Sequence, residues 1–246
     1  MRCPVLKKIV LLSMLTISFS EYCMFHMSSP SPIMRTPSTT KLIENKRGGL
    51  YTISGPMACG KSDELMRIIS VLRIAQCKVL ACKHCFDTRS AQFLISRRKT
   101  ENPIEAHLIS EPQEILTEIE HHPVDYVAID EVQFFKDNPM TDIIQTLIQR
   151  GIYVIVSGLD KDFKGDPFGK YAPEPLCMPS LLSIADDGVK LKAVCEVCKQ
   201  WNATMTQRLV NGKPASKNDP LVMVDDGTKK EITYEPRCRE CHQLPE

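Results

Sequence analysis

Gly55-Pro-Met-Ala-Cys-Gly60-Lys61-Ser62 sets two glycines five residues apart, followed at once by a lysine and a hydroxyl residue. That spacing suits the binding of nucleotide phosphates. Gly55 and Gly60 let the backbone curl until successive N–H groups face inward and form a nest for phosphate oxygens. The helix that follows points the positive end of its dipole at the same place. Lys61 reaches the outer phosphates, and the Ser62 hydroxyl is available to Mg²⁺. A plain Gly-Pro turn before a helix is the bland alternative, and it leaves Lys61-Ser62 unexplained.

Asp130-Glu131 closes the apolar run Val124 to Ile129. A carboxylate at the end of a buried strand can hold the Mg²⁺ hydration shell, as a Walker-B acid does. A second one beside it is placed to take a proton from a hydroxyl nucleophile or to orient a water. The strand carrying this pair is expected beside the one that feeds the glycine loop. Arg89, in Asp87-Thr-Arg89, lies in a loop from which a guanidinium could offset charge on a transferring phosphoryl group.

Cys195-x-x-Cys198 and Cys238-x-x-Cys241 are separated by 39 residues between the inner cysteines. Two such pairs can supply four thiolates to one tetrahedral Zn²⁺, and the long gap means that a loop projects between the knuckles. His242 is read as a bystander. Cys82-x-x-Cys85 has no matching second pair and reads as structural thiol. Trp201, the only tryptophan, is expected to pack the zinc module.

The elements that must position these groups follow from periodicity. Strands are expected at Leu50 to Ser54, Val79 to Cys82, Leu108 to Ile109, Val124 to Ile129 and Ile152 to Val156. Helices are expected around Leu65 to Leu72, after a capping box formed by Ser110 and Gln113, and from an Asn138 cap with Pro139 at the first helical position to a stop at Gly151. Phe86 to Asn102 reads as mobile surface. The alternation predicts an α/β fold: a P-loop (RecA-like) parallel sheet with helices on both faces, plus a small C-terminal zinc-binding module. Ligands of such sheets sit at the carboxyl ends of the strands, where the glycine loop and Asp130-Glu131 both fall. The expected division is a leader at 1–46, a nucleotide-binding domain at 47–190 and a zinc-binding domain at 191–246.

The leader joins Arg2, Lys7 and Lys8 to an apolar run from Ile9 to Phe19, which is formally signal-like. The run is too short to span a bilayer, and the Ser/Thr/Pro-rich stretch after it cannot build a core. Export fits poorly with reduced zinc thiolates, so the leader is read as non-structural or an over-long start, with an organellar transit segment second. The formal net charge is +1. With no basic stripe, a nucleic-acid partner held by electrostatics is not suggested.

These motifs together resemble the type II, zinc-containing thymidine kinases. The resemblance runs from about Gly49 to His242. It rests on Gly55-Pro-Met-x-x-Gly-Lys-Ser62, Asp87-Thr-Arg89, Asp130-Glu131-x-Gln133-Phe134-Phe135, Gly158-Leu-Asp-x-x-Phe163, Pro167-Phe168-Gly169, both cysteine pairs, Thr206-x-Arg208-Leu209 and Tyr234-Glu-Pro-x-Cys238.

The resemblance implies transfer of the ATP γ-phosphoryl group to the 5′-hydroxyl of thymidine, or of deoxyuridine, in a cytoplasmic homotetramer inhibited by dTTP. It implies ATP, Mg²⁺ and a structural Zn²⁺ on Cys195, Cys198, Cys238 and Cys241. Glu131 would be the base, with Lys61 and Arg89 on the phosphates. Gly55, Pro56, Met57, Ala58, Cys59, Gly60, Lys61 and Ser62, with Asp130, Glu131 and Gln133, would form the ATP–magnesium side. Met57, Phe134, Leu159, Phe163 and Phe168 would wall the base pocket. A lasso loop between the knuckles would close over the nucleoside through Thr206, Val222 and Tyr234.

Three positions depart from the family pattern: Ala58 replaces an aromatic, Val132 a small residue, and Asp225-Asp226 a pair of glycines. Two other readings start from the same motifs: a phosphate-loop ATPase, and a nucleotide-dependent zinc module without phosphoryl transfer. A helicase-type motor would need a second motor domain, for which the chain is too short.

Overall fold

β1 (Gly49–Ser54) is buried along its whole length, as a strand must be when both faces of its sheet are covered. The computed structural model describes residues 48–87, 92–95, 103–222 and 231–245, which belong to one compact unit. The leader, Arg89 and Asp225-Asp226 lie outside the described residues.

After β1 come α1 (Lys61–Ile74), β2 (Val79–His84), β3 (Phe93–Leu94), β4 (Ile104–Glu105), β5 (His107–Ile109), α2 (Gln113–His121) and β6 (Tyr126–Asp130). A 3₁₀ turn at Val132–Phe134 leads to α3 (Asp137–Gln149), β7 (Tyr153–Gly158), α4 (Met178–Ile184) and β8 (Asp187–Lys190). The C-terminal part holds β9 (Met205–Val210), β10 (Lys213–Pro214) and β11 (Ile232–Arg237).

Six strands form one sheet in the order β5-β2-β6-β7-β1-β8, and every pairing in it is parallel. Alternating side chains feed two cores. Leu50, Val127, Ile129, Val154 and Val156 pack with Ile115, Ile144 and Leu147 of α2 and α3. Tyr51, Ile53, Ala128 and Ile155 pack on the other face with Leu65, Ile68, Ile69 and Leu72 of α1. The α/β sheet with helices on both faces is therefore as expected.

Several local expectations are corrected. The strand carrying Asp130 is not next to β1, because β7 lies between β6 and β1. β8 went unpredicted: it is short, polar and largely exposed, so it carries little hydrophobic signal. Gly188 permits it, since a Cβ there would overlap Thr52 on β1. The capping group for α2 is Glu114, not Gln113; its carboxylate accepts from Ser110 N and Oγ and from Glu111 N.

α3 begins one residue before Asn138, at Asp137. The Asp137 carboxylate accepts from Thr141 and Ser180 instead of leaving Asn138 to act as the cap. Gly151 stops the segment in a left-handed conformation, as anticipated. Within the stretch read as mobile surface, β3 pairs with β4 and buries Leu94.

Leu147 touches the sheet from α3 and is fully buried. Leu147→Ala is expected to lower the unfolding free energy by about 2–5 kcal/mol, through lost transfer energy plus a cavity. Urea denaturation at unchanged m-value checks this.

Candidate phosphoryl-transfer site

The carboxyl ends of β1, β6 and β7 converge on the phosphate loop. Gly55 has φ +144° and Gly60 φ +88°, so the loop uses glycine at both points where its backbone turns. A Cβ at 55 would also press on the Leu191 carbonyl. Gly60 caps α1 in the left-handed region, and Asp63 and Glu64 in the first turn oppose the positive end of the dipole. Lys61 is buried, with Nζ donating to the Pro56 carbonyl at 2.8 Å. Its ammonium is thus folded back over the loop it would serve.

Ser62 Oγ donates to Asp130 Oδ2 at 2.8 Å, across the edge of the intervening β7. The other Asp130 oxygen accepts the amide of Glu131 at 3.0 Å. That bond holds Glu131 in a left-handed conformation, φ 54°, which costs a non-glycine residue about 1–2 kcal/mol. Gln133, fully buried, donates from Nε2 to Glu131 Oε2 at 2.6 Å and accepts the Leu159 amide on Oε1 at 3.1 Å. Gly158 leaves room for this amide, since a Cβ there would meet Gln133 Oε1 at 2.7 Å. Gln133 therefore positions Glu131.

Of the expected base-pocket residues, Phe134 and Phe168 meet edge to face at 6.0 Å, and Phe163 and Phe168 are buried. Thr206 Oγ1 accepts the Met57 amide at 3.0 Å, so it joins the phosphate loop to β9. Val222 is partly exposed. Tyr234 lies opposite Arg208 in the β9–β11 register. Ala58 is exposed at φ 59° and lines a cavity of about 580 Å³ with Glu196, Tyr234, Glu235, Pro236 and Arg237. The small side chain at this departure from the family pattern thus borders open space.

Cys195, Cys198, Cys238 and Cys241 bring their sulfurs within 4.8 Å of one another. The Cys198–Cys238 separation is 3.9 Å. Zn–S bonds of about 2.3 Å imply tetrahedral edges of about 3.8 Å, so the donor set and its size both fit zinc. His242 stands apart, with Nε2 within 2.8 Å of the Phe163 carbonyl oxygen. Among the described residues no other Cys/His/Asp/Glu group has this arrangement. Cys82 is buried in β2, and burial pushes its thiol up to about 12, in keeping with a structural role. Trp201 is 63% exposed and does not pack the module as expected; small residues, Ala193 and Ala203, fill that core beside the cysteines.

The zinc module is tied directly to the phosphate loop. Cys59 packs against its core, and burial raises the Cys59 thiol above its ordinary value. Leu191 N donates to Ser54 O at 2.8 Å. Asp160, beyond β7, is buried between Lys190 at 2.6 Å and Lys161 at 3.1 Å. Burial pushes its carboxyl up, but the two lysines outweigh this and hold it below the usual value. Lys161 Nζ also reaches the Thr204 carbonyl at 3.4 Å.

Sequence reasoning missed this cluster, because Asp160-Lys161 is an ordinary charged pair until Lys190, from the end of β8, is folded against it. It also missed Lys83, fully buried on β2 opposite Asp130, with Nζ 3.5 Å from Asp87 Oδ2. A lysine inside the run Val79-Leu-Ala-Cys-Lys-His was the available signal.

The family model for thymidine kinase matches residues 48–242. Among solved structures, a replication initiator DnaA bound to AMPPCP and single-stranded DNA is 12% identical with a TM-score of 0.37, covering 63% of this chain and 44% of that one. The genome packaging NTPase B204 from Sulfolobus turreted icosahedral virus 2, in complex with ATP-gammaS, is 13% identical with a TM-score of 0.38, over 59% and 75%. The Legionella pneumophila ATPase DotB is 14% identical with a TM-score of 0.34, over 50% and 33%. The chain thus spans less than half the length of the DnaA and DotB chains.

Metal analysis of the purified protein is expected to find about one zinc per chain. Cys238→Ser should bring the content near zero and lower the thermal midpoint, because metal binding at such a site is coupled to folding.

Proposed function

The chain belongs to the thymidine kinase family, whose members phosphorylate thymidine at the expense of ATP, and we propose that the residues described above divide that reaction between them. The observation that carries the assignment is the hydrogen-bonded series Ser62–Asp130–Glu131–Gln133 beside Lys61. It sets one carboxylate against the phosphate loop and holds a second one residue further on, which supports reading Glu131 as the hydroxyl-proton acceptor.

In this reading the loop amides and the α1 N-terminus receive the ATP phosphates, and Lys61 exchanges the Pro56 carbonyl for a phosphate oxygen. Ser62 Oγ and Asp130 are the residues that would hold magnesium, directly or through its waters. Magnesium, when bound, offsets charge on the phosphate oxygens. Glu131 takes the proton of the thymidine 5′-hydroxyl as that oxygen attacks the γ-phosphorus and ADP departs. Arg89, outside the described residues, is assigned to the phosphates on the family pattern alone.

Met57, Phe134, Leu159, Phe163 and Phe168 wall the base, with Thr206, Val222 and Tyr234 contributed by the zinc-footed loop. Anchoring that loop at both ends by one metal lowers the entropy lost on closing it. The proposal extends to the boundaries 47–190 and 191–246, to acceptance of deoxyuridine, and to a homotetramer inhibited by dTTP. It places the protein in the cytoplasm, where thiolate ligands stay reduced. No helix among the described residues is long and apolar enough to cross a membrane.

Protein incubated with Mg-ATP and single deoxynucleosides is expected to form the 5′-monophosphate of thymidine. ATP hydrolysis without any nucleoside monophosphate would favour the ATPase reading instead. Glu131→Gln keeps the side-chain size and should lower kcat about 10²–10⁴-fold while ATP still binds. Near-normal turnover in that variant would remove Glu131 from the base role.

A further inference from the structure

Arg208 is a buried cation with no part in the scheme above. It projects from β9 directly opposite Tyr234 and is only 1% exposed. Its Nε donates to the Tyr234 hydroxyl oxygen at 3.1 Å. Nη1 donates to the Pro220 carbonyl at 2.6 Å and Nη2 to the Leu221 carbonyl at 2.5 Å. The guanidinium carbon stands 3.8 Å from the centre of the Phe163 ring and 5.4 Å from that of Tyr234.

No carboxylate among the described residues pairs with it. A buried charge of this kind is costly unless other groups take the place of water. Here two carbonyls, one hydroxyl and two aromatic faces do so. The carbonyls lie on the outgoing limb of the loop between the knuckles, immediately before Val222. Tyr234 lies on the returning limb, and Phe163 belongs to the segment after β7. One planar group therefore ties together three stretches that are remote in the chain. A lysine could not reproduce this, having a single nitrogen and no flat face to stack.

We propose that Arg208 is a positioning residue that clamps the two limbs of the loop against Phe163 and so sets the affinity for the nucleoside, leaving that for ATP nearly unchanged. The proposal rests on the assignment of Phe163, Val222 and Tyr234 to the nucleoside pocket. Arg208 touches two of these three residues, Phe163 and Tyr234. Losing it releases Pro220, Leu221 and Tyr234 together, so the pocket must then be ordered by the incoming nucleoside at a cost in binding.

The test uses the full chain carrying Arg208→Lys, Arg208→Met or Phe168→Ala, each first checked for zinc content. Charge-assisted hydrogen bonds of this strength predict that Arg208→Lys raises KM for thymidine about 10- to 100-fold. KM for ATP should stay within about threefold and kcat should fall far less than kcat/KM for thymidine. Arg208→Met should be at least as severe; if it fails to fold, the lysine variant, which keeps the charge and the stem, decides alone.

A merely structural role would raise both KM values together or lower kcat alone, and either result overturns the clamp. Phe168 does not touch Arg208 in the contacts above and reports on the pocket separately. If Phe168→Ala weakens thymidine binding while Arg208→Lys does not, the clamp falls and the pocket stands. If neither variant moves the thymidine KM, the pocket assignment falls and takes the clamp with it.

Discussion

Asp130 is a carboxylate with 3% exposure, held by Ser62 Oγ on one oxygen and by the amide of its own neighbour on the other. A buried acid must be hydrogen-bonded or paired, and this one meets the requirement with a phosphate-loop hydroxyl and the amide of the next residue. Its bond to Ser62 locks the first turn of α1 to the sheet. Its bond to the Glu131 amide turns that residue into a conformation few side chains adopt. The phosphate loop, the Ser62 hydroxyl and the Glu131 carboxylate are thereby referenced to a single side chain at the end of β6. Lys83, opposite Asp130 on β2, brings a buried cation to the same edge.

The zinc module completes the site instead of standing beside it. Thr206 accepts an amide of the phosphate loop, Leu191 donates to the residue before Gly55, and Cys59 lies against the knuckle core. Asp160, held between Lys161 and Lys190, binds the segment after β7 to the end of β8. Four cysteines thus do more than staple a loop. They fix the module whose inner surface backs the glycine turn.

What could be read from the chain alone follows the range of each signal. Gly55 to Ser62, the acid pair and the two cysteine pairs are local patterns whose chemistry constrains spacing, and the folded chain brings each set together as a site. The parallel sheet was legible because β1, β6 and β7 are mostly apolar and buried along their whole length. β8 was not, because an edge strand of Asp-Gly-Val-Lys needs no apolar face. The place of β7 between β1 and β6 was equally hidden, since strand order is a matter of tertiary packing that periodicity does not encode. Trp201 misled for a related reason: size and hydrophobicity favour burial on average, but a core built on four cysteines and two alanines has no space for an indole.

The pairing of β1 with β8 joins residues such as Tyr51 and Asp187, and the loop's other supports, Leu191 and Thr206, come later still in the chain. During synthesis the glycine turn therefore emerges from the ribosome well before these later supports exist, with Asp130 the first distant residue able to hold it. Contacts of such sequence separation slow folding and leave apolar strands uncovered meanwhile. A nascent chain halted before the second cysteine pair would carry the whole nucleotide motif yet lack the metal site that fixes its backing. The backing of the phosphate loop is thus completed only after Leu191 and Thr206 have been made, well over a hundred residues beyond the turn they support.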